Sequence, residues 1–339
     1  MSLLEAKIFS DSQIQNLINN NDYASAADYL FKIQLNNWEL MKKNYDALNK
    51  VQAKSFWYDG FKIKVQFNPE RIKSTSAAVD ENSISNRPCF LCSENLPFEQ
   101  KGIILRNHFF LLCNPYPILP QHFTITSLIH EPQRISKDFS EILELSKMLS
   151  PKYTLLYNGP ACGASAPDHL HFQAVTKQLI PIENDIQQMK NDFGKTVWGD
   201  EFISITFIDD GLRKIVLIES HKQSLIEKSF SKLTDIFKIV SPSDPEPMMN
   251  LLISYFEEIG WNLIVFLRSK HRPACFFDDD PDKILISPAA VDLGGLLVTT
   301  RESDFVQIDK EFLQGIINEV SLDNETFYLI ETKVKTEMI

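Results

Sequence analysis

NGPACGASAPDHLHFQ, residues 158–173, ends with two histidines and a glutamine on alternate positions. Alternate side chains of an extended strand share a face. His169, His171 and Gln173 would then line one side while Leu170 and Phe172 fill the other. The preceding loop sets Gly159, Pro160 and Gly163 among small residues, a composition that lets backbone N–H groups approach a bound group. Two alternating histidines also fit a strand whose imidazoles are satisfied by their neighbours. The flanking sequence has to decide.

Working outward, the pattern predicts a strand at 152–157 and a helix over 137–149. Three apolar stretches, 103–106, 108–113 and 122–128, come earlier, the last two separated by the proline-rich NPYPILPQ. Further upstream, SFWY, the turn pair Asp59-Gly60 and FKIKVQF predict a hairpin, with Phe61, Ile63, Val65 and Phe67 alternating. Residues 10–50 carry apolar residues at helical intervals, and 68–88 read as a long loop holding Arg71, Lys73 and Arg87.

Downstream of about residue 178, FISITFID, the turn Asp209-Asp210-Gly211 and RKIVLIES predict a second hairpin. Helical patterns follow at 222–238 and 246–258, then WNLIVFLRS and GGLLVTT as strands. The order hairpin, helix, strand, later strand therefore occurs twice. The expected fold class is α+β with mostly antiparallel sheets. The expected organisation is a helical extension over 1–50, a catalytic half over 51–178 and a second half over 179–339.

The chain of 339 residues has a formal charge of −11, which argues against a protein that coats nucleic acid through its phosphates. A single nucleotide remains compatible, given a local basic cluster. The segment MSLLEAKIFSDSQIQNLINN lacks the pattern of a secretory signal, and no run of about 18 apolar residues predicts a membrane span. Five cysteines, odd in number and sparse, fit a reduced cytoplasmic setting better than a disulfide framework.

In such a setting Cys89-Phe-Leu-Cys92 reads as a metal knuckle or a redox dithiol. The redox reading expects a helix start after a strand, whereas Pro88 and the loop-like NSISNRP precede this pair. Zinc prefers four tetrahedral ligands, thiolate and imidazole above all, so two more must come from elsewhere. His122 and His130 bracket the strand-like FTITSLI, and His130 sits where strand gives way to loop.

HFTITSLIH, a helix, a strand, NGPACGAS and HLHFQ together resemble the histidine-triad superfamily. Glutamine at the third motif position is similar to the nucleotidyltransferase branch: galactose-1-phosphate uridylyltransferase, diadenosine tetraphosphate phosphorylase and GDP-L-galactose phosphorylase. HLHFQA and ISPAAVDLGGLLVTTRESDF resemble the GDP-sugar phosphorylases most, and FNPERIKSTSAAVDENSISNRPCFLC resembles a bacterial group near this branch. The resemblance runs from about residue 55 to 310 and is strongest over 87–175.

The resemblance implies antiparallel sheets with flanking helices in two packed halves, and a structural zinc held by Cys89, Cys92, His130 and His169. His171 is then the nucleophile, free to form a covalent nucleotidyl intermediate, and Gln173 donates to a phosphate oxygen without offering a titratable proton. Ser165 and the backbone of Gly163 and Ala164 are expected to bind phosphates, and Asn158 to orient the phosphate or the motif strand. Asp168 makes the loop one residue longer than in the uridylyltransferases and leaves two roles open, a partner of His169 or a solvent-facing acid. Arg71, Lys73 and Ser74 lie where relatives touch the nucleotide; the LRSKHRP cluster, with Arg268 and Lys270, is the second candidate for holding substrate. No second metal is expected.

The implied substrate is a nucleotide or nucleotide sugar, with phosphate or a sugar phosphate as acceptor, no nucleic acid or membrane partner, and a homodimer allowed. Two other readings stay open: a histidine-triad hydrolase in which water is the acceptor, and a zinc-stabilised nucleotide-binding protein without turnover.

Overall fold

The computed structural model describes residues 3–72, 79–243 and 245–337. Among these, thirteen strands form two sheets. The strands are β1 (Gln52–Tyr58), β2 (Phe61–Phe67), β3 (Gly102–Leu105), β4 (Phe109–Cys113), β5 (His122–Ser127), β6 (Tyr153–Asn158) and β7 (His171–Thr176). After them come β8 (Gly194–Gly199), β9 (Ile203–Asp209), β10 (Lys214–Ser220), β11 (Met249–Phe256), β12 (Gly260–Leu267) and β13 (Leu296–Thr299).

Ten strands make one antiparallel sheet in the order β3-β4-β5-β7-β6-β11-β12-β10-β9-β8. Each half of that order has the same winding: three strands in sequence, then the fifth, then the fourth. The two halves therefore meet through their fourth strands, where β6 and β11 pair with Asn158 opposite Asn250 and Leu155 opposite Ile253. The duplication expected from element order is thus a continuous sheet with its halves arranged about the β6–β11 junction.

The hairpin β1–β2 is not the counterpart of β9–β10, although the sequence pattern matched them. It stands apart in a three-stranded sheet, where β13 runs parallel to β2 with Leu297 opposite Val65. The true counterpart of β9–β10 in strand order is β4–β5. The segment 246–258, expected as a helix, contains β11 instead. Both faces of β11 are buried, so its sequence MNLLISYF lacks the alternation of a half-exposed strand and mimics a buried helix. Gly260 closes the β11–β12 turn at φ +78°, and a Cβ there would lie 2.3 Å from the Ser220 carbonyl.

Strands β6, β7, β9, β10, β11 and β12 send alternate residues to two cores. One core holds Phe123, Leu155, Tyr157, Phe172, Leu251 and Leu263 and is covered by helices 23–37, 139–148 and 223–240. The other holds Leu156, Val175, Leu252 and Ile264 under β2, β13 and helices 181–193 and 310–320. This alternation leaves His171 and Gln173 on the face opposite Phe172, where the second apolar layer gives way to a cleft. No described helix is long and apolar enough to cross a membrane.

Because β6 and β11 are both central strands, a fragment of residues 179–339 would expose the β11 edge together with Leu251 and Ile253. Gel filtration of that fragment should show aggregation, while the full chain elutes as a defined species. A soluble, well-folded monomeric fragment would contradict the shared-sheet account.

Candidate active site and metal centre

The Cys89-Phe-Leu-Cys92 segment forms a tight turn, with the Cys92 amide donating to the Cys89 carbonyl at 3.3 Å. Cys89, Leu91, Cys92 and Ala166 of the glycine loop form one small buried cluster. Cys89 Sγ lies 3.2 Å from His169 Nδ1, and Cys92 Sγ lies 3.3 Å from His130 Nδ1 and 3.5 Å from His169 Nδ1. All four ligand atoms fall within 4.8 Å of one another. A tetrahedral zinc with ordinary Zn–S and Zn–N bonds places adjacent sulfur and nitrogen ligands about 3.5 Å apart, so these spacings fit a metal ion.

The Nε2 of His169 lies 3.0 Å from the Ser127 carbonyl. As the N–H donor to that oxygen it turns the Nδ1 lone pair toward the thiols, the arrangement metal-bound imidazoles commonly use. Burial first, and then the neighbouring Cys89, push the Cys92 thiol up to about 12. Two adjacent buried sulfurs do not ionise together without a cation to offset them. The motif is not one continuous strand. His169 sits in the turn before β7, its amide bonded to the Ala166 carbonyl, and the extended stretch begins at His171. Asp168 does not orient His169; its carboxylate pairs with Arg87 at 2.8 Å and ties the segment before Cys89 to the motif.

His171 is 3% exposed and lines a cleft of about 370 Å³. Its Nδ1 lies 2.8 Å from the His169 carbonyl and so donates to it, leaving Nε2 with its lone pair and no partner among the described residues. Burial lowers its pKa to about 4, which keeps the ring neutral. Gln133, fully buried, fixes the backbone beneath it. Its Oε1 accepts from the His171 amide at 2.8 Å, and its Nε2 donates to the carbonyls of Asn158 and His171 at 2.9 and 3.0 Å.

Gln173 is oriented by His122. The His122 Nδ1 accepts from the Ile118 amide at 3.4 Å, so Nε2 carries the proton and donates to Gln173 Oε1 at 2.7 Å. The glutamine NH₂ is thereby left as the end that faces the cleft. Burial lowers the His122 pKa to about 3, so the ring stays neutral and the orientation stays fixed. Neither Gln133 nor the His122–Gln173 pair was identified from sequence. The position of His122 at the start of the HFTITSLIH strand was the one available signal.

The cleft wall beside His171 is apolar, with Trp38, Phe90, Leu96, Pro115 and Tyr116. Trp38 brings the N-terminal helical segment into the site. Arg71 and Ser165 line this cleft and also a smaller adjoining cavity with Asn158, Gly163 and Ala164. Arg71 is held by the Tyr116 carbonyl, and burial lowers its pKa to about 10. Lys73 and Ser74 lie outside the described residues. Asn158 faces the second half, its Oδ1 accepting from Asn250 at 2.8 Å and from the Ala290 amide at 2.9 Å.

Within LRSKHRP the structure separates the residues. Arg268 is fully buried, with Nε, NH1 and NH2 bound to Val320, Asn250, Pro288, Lys270 and His271. Lys270 pairs with Glu319 at the surface. His271 and Arg272 are the members that line the smaller cavity.

Two family models match the chain. One described as "Domain of unknown function (DUF4922)" covers residues 30–176, and one described as "GDPGP1-like, C-terminal domain" covers residues 221–338. The galactose-1-phosphate uridylyltransferase of Bacillus subtilis is 33% identical over 121 residues, 31% of this chain and 24% of that enzyme, so the aligned part spans about a quarter of it. The crystal structure of yeast Ap4A phosphorylase Apa2 in complex with AMP superposes with a TM-score of 0.54 at 14% identity, over 84% of this chain and 95% of that one. Its complex with Ap4A gives 0.54 at 15% identity, over 85% and 97%. The fold is histidine-triad-like, two halves in a shared antiparallel sheet. Together these matches support a likeness to the histidine-triad branch that holds the uridylyltransferases, Ap4A phosphorylases and GDP-sugar phosphorylases.

Elemental analysis of protein purified without chelator should find about one metal ion per chain. Cys89→Ser should lose the ion and lower Tm, since a structural metal site contributes directly to folding free energy. Metal-free wild-type protein, with Cys89→Ser equally stable, would contradict the assignment.

Proposed function

We propose that the chain is a nucleotidyltransferase or phosphorylase that works by double displacement through a nucleotidyl-histidine on His171. The observation that carries this reading is the tethering of His171: Nδ1 is bound to the His169 carbonyl at 2.8 Å, and a neutral Nε2 is left open to the cleft. The relationship to uridylyltransferases and phosphorylases supports the same chemistry.

In the first step Nε2 attacks the α-phosphorus of the donor. The N–P bond forms as the bond to the bridging oxygen breaks, and the leaving group departs with that electron pair. The imidazolium charge is stabilised by the carbonyl on Nδ1. In the second step the acceptor oxygen attacks the same phosphorus and returns the histidine. The Gln173 NH₂, aimed by His122, donates to a non-bridging oxygen as charge develops there. A glutamine supplies no titratable proton for general acid–base catalysis of water attack, which suits an intermediate that waits for a chosen acceptor.

The apolar wall of Trp38, Phe90 and Tyr116 is suited to a nucleobase, and Arg71, Ser165 and the loop amides to the phosphates. We assign zinc to the Cys89, Cys92, His130 and His169 set from its two thiolates and two imidazoles. With four protein donors it would be structural, pinning the segment around Cys89 to the turn before the catalytic strand. A cytoplasmic location agrees with this thiol chemistry.

Incubated with a screen of nucleoside-diphosphate sugars and dinucleoside polyphosphates and no acceptor, the protein should gain the mass of one nucleotidyl group, a nucleoside monophosphate less water, on His171. His171→Ala should abolish the adduct and slow turnover by several powers of ten, as loss of a covalent nucleophile does elsewhere (~10⁶ in a serine protease). Gln173→Ala should form it more slowly without losing donor binding. A label on another residue, or full activity in His171→Ala, would refute the mechanism.

A further inference from the structure

Residues 114–118, Asn-Pro-Tyr-Pro-Ile, lead from β4 toward β5 without regular secondary structure. Pro115 and Pro117 have no N–H to give, so the run cannot hold itself through its own backbone. No described amide donates to any of its five carbonyls. Instead each one accepts from a side chain of the segment 44–71. Tyr45 takes Asn114 at 3.2 Å, Asn44 takes Pro115 at 2.7 Å, Arg71 takes Tyr116, Asn68 takes Pro117 at 3.2 Å and Gln66 takes Ile118 at 3.5 Å. Asn44, Tyr45, Gln66 and Asn68 are all buried, where a carbonyl left without a donor is costly. The loop is held in one conformation by side chains outside it.

What this loop carries bears on the reaction. Tyr116 lines the cleft and its carbonyl holds Arg71. The Ile118 amide meets His122 Nδ1, which sets the ring to donate from Nε2 to Gln173 Oε1. The relay from the loop to the Gln173 NH₂ therefore depends on where the two ends of the loop sit. Tyr45 fixes both. Besides the Asn114 carbonyl, its hydroxyl lies 3.1 Å from the His122 carbonyl and accepts from the His122 amide at 3.3 Å. The Asn114 amide closes the neck by donating to the same His122 carbonyl at 2.9 Å. One phenol thus joins the first residue of the loop to the first residue of β5. Its ring packs edge-on against Phe31 with centroids 4.9 Å apart. Burial raises its pKa well above the ordinary phenol value, so the hydroxyl stays a donor.

We propose that Tyr45, from the helix at 39–48, is a positioning residue for nucleotidyl transfer: it holds the Asn114–His122 loop so that His122 keeps the Gln173 NH₂ toward the cleft. Without the phenol the His122 amide loses its acceptor. The imidazole is then free to leave the Ile118 amide, and the Gln173 amide to turn its oxygen toward the phosphate. An oxygen there meets developing negative charge instead of donating to it. The inference rests on the nucleotidyltransfer reading for the role of Gln173. It makes the N-terminal helical segment part of what aligns the reacting groups.

Two measurements on the full-length protein test this. NMR of ¹⁵N-labelled histidine needs no donor: wild type should show His122, assigned by its loss in His122→Ala, as a neutral ring protonated on Nε2. Tyr45→Phe, which keeps the ring against Phe31, should shift these signals toward a mixture of tautomers. Tyr58→Phe removes a hydroxyl that donates to the Lys310 carbonyl at the surface and should leave them unchanged. In the adduct assay Tyr45→Phe should slow labelling of His171 about fivefold, the scale of one lost hydrogen bond, with donor affinity kept. In the Gln173→Ala background the same substitution should slow it no further, because effects that pass through one group do not add. A tyrosine that only supports the fold would multiply the two losses and leave the His122 signals undisturbed, and either result would overturn the proposal. The spectrum decides the matter even where wild type forms no adduct, an outcome that counts against the His171 reading alone.

Discussion

Asn250 holds the molecule together at its midpoint. Fully buried at the junction of the two half-sheets, it donates to Asn158 Oδ1 at 2.8 Å and to the Cys162 carbonyl at 2.7 Å, and accepts from Arg268 at 2.7 Å. One amide thus fixes the end of β6, the glycine loop that follows it, and β12 of the other half. Asn158 continues the network to the Ala290 amide. A buried network of this kind contributes only when every member is satisfied, and each named group here has a partner. The loop facing His171 is positioned by the second half as much as by its own strand.

From that junction the division of labour among the histidines follows. The chain turns at Ala166–His169 and enters β7 at His171, so consecutive motif histidines serve different sites. His169 turns to the thiols with its other nitrogen on Ser127; His171 turns to the cleft with its other nitrogen on the His169 carbonyl. The candidate metal set and the proposed nucleophile are therefore coupled through one peptide unit. Loosening the Cys89–Cys92 turn would free the His169 carbonyl that anchors His171. In the proposed reading, a metal held by these four residues would set the geometry of His171 Nε2, and four protein donors would leave it no coordination site for substrate.

Much of this was legible in the sequence where the signal is local. Strands β3 to β7 stand out because turn residues bound short apolar runs; the cysteine and histidine spacings singled out candidate ligands, and the family resemblance supplied the set Cys89, Cys92, His130 and His169. The failures have physical causes. MNLLISYF is buried on both faces, so it carries no period of two and reads as a helix. The β1–β2 hairpin resembles β9–β10 locally, but its partner β13 comes from the far end of the chain, which no local pattern encodes. In LRSKHRP, four basic residues look alike in one dimension; only the continuation of β12 decides that Arg268 faces into the protein and Arg272 into the cavity. Gln133 and the His122–Gln173 pair act through hydrogen bonds across strands, and a single glutamine in a loop announces nothing.

The central claim is that the phosphorus passes through His171 in two displacements. A donor made chiral at the α-phosphorus with sulfur in place of one non-bridging oxygen tests this directly, because each in-line displacement inverts the centre once. The account predicts net retention of configuration in the product. Net inversion would mean a single direct transfer to the acceptor and would contradict a covalent histidine intermediate.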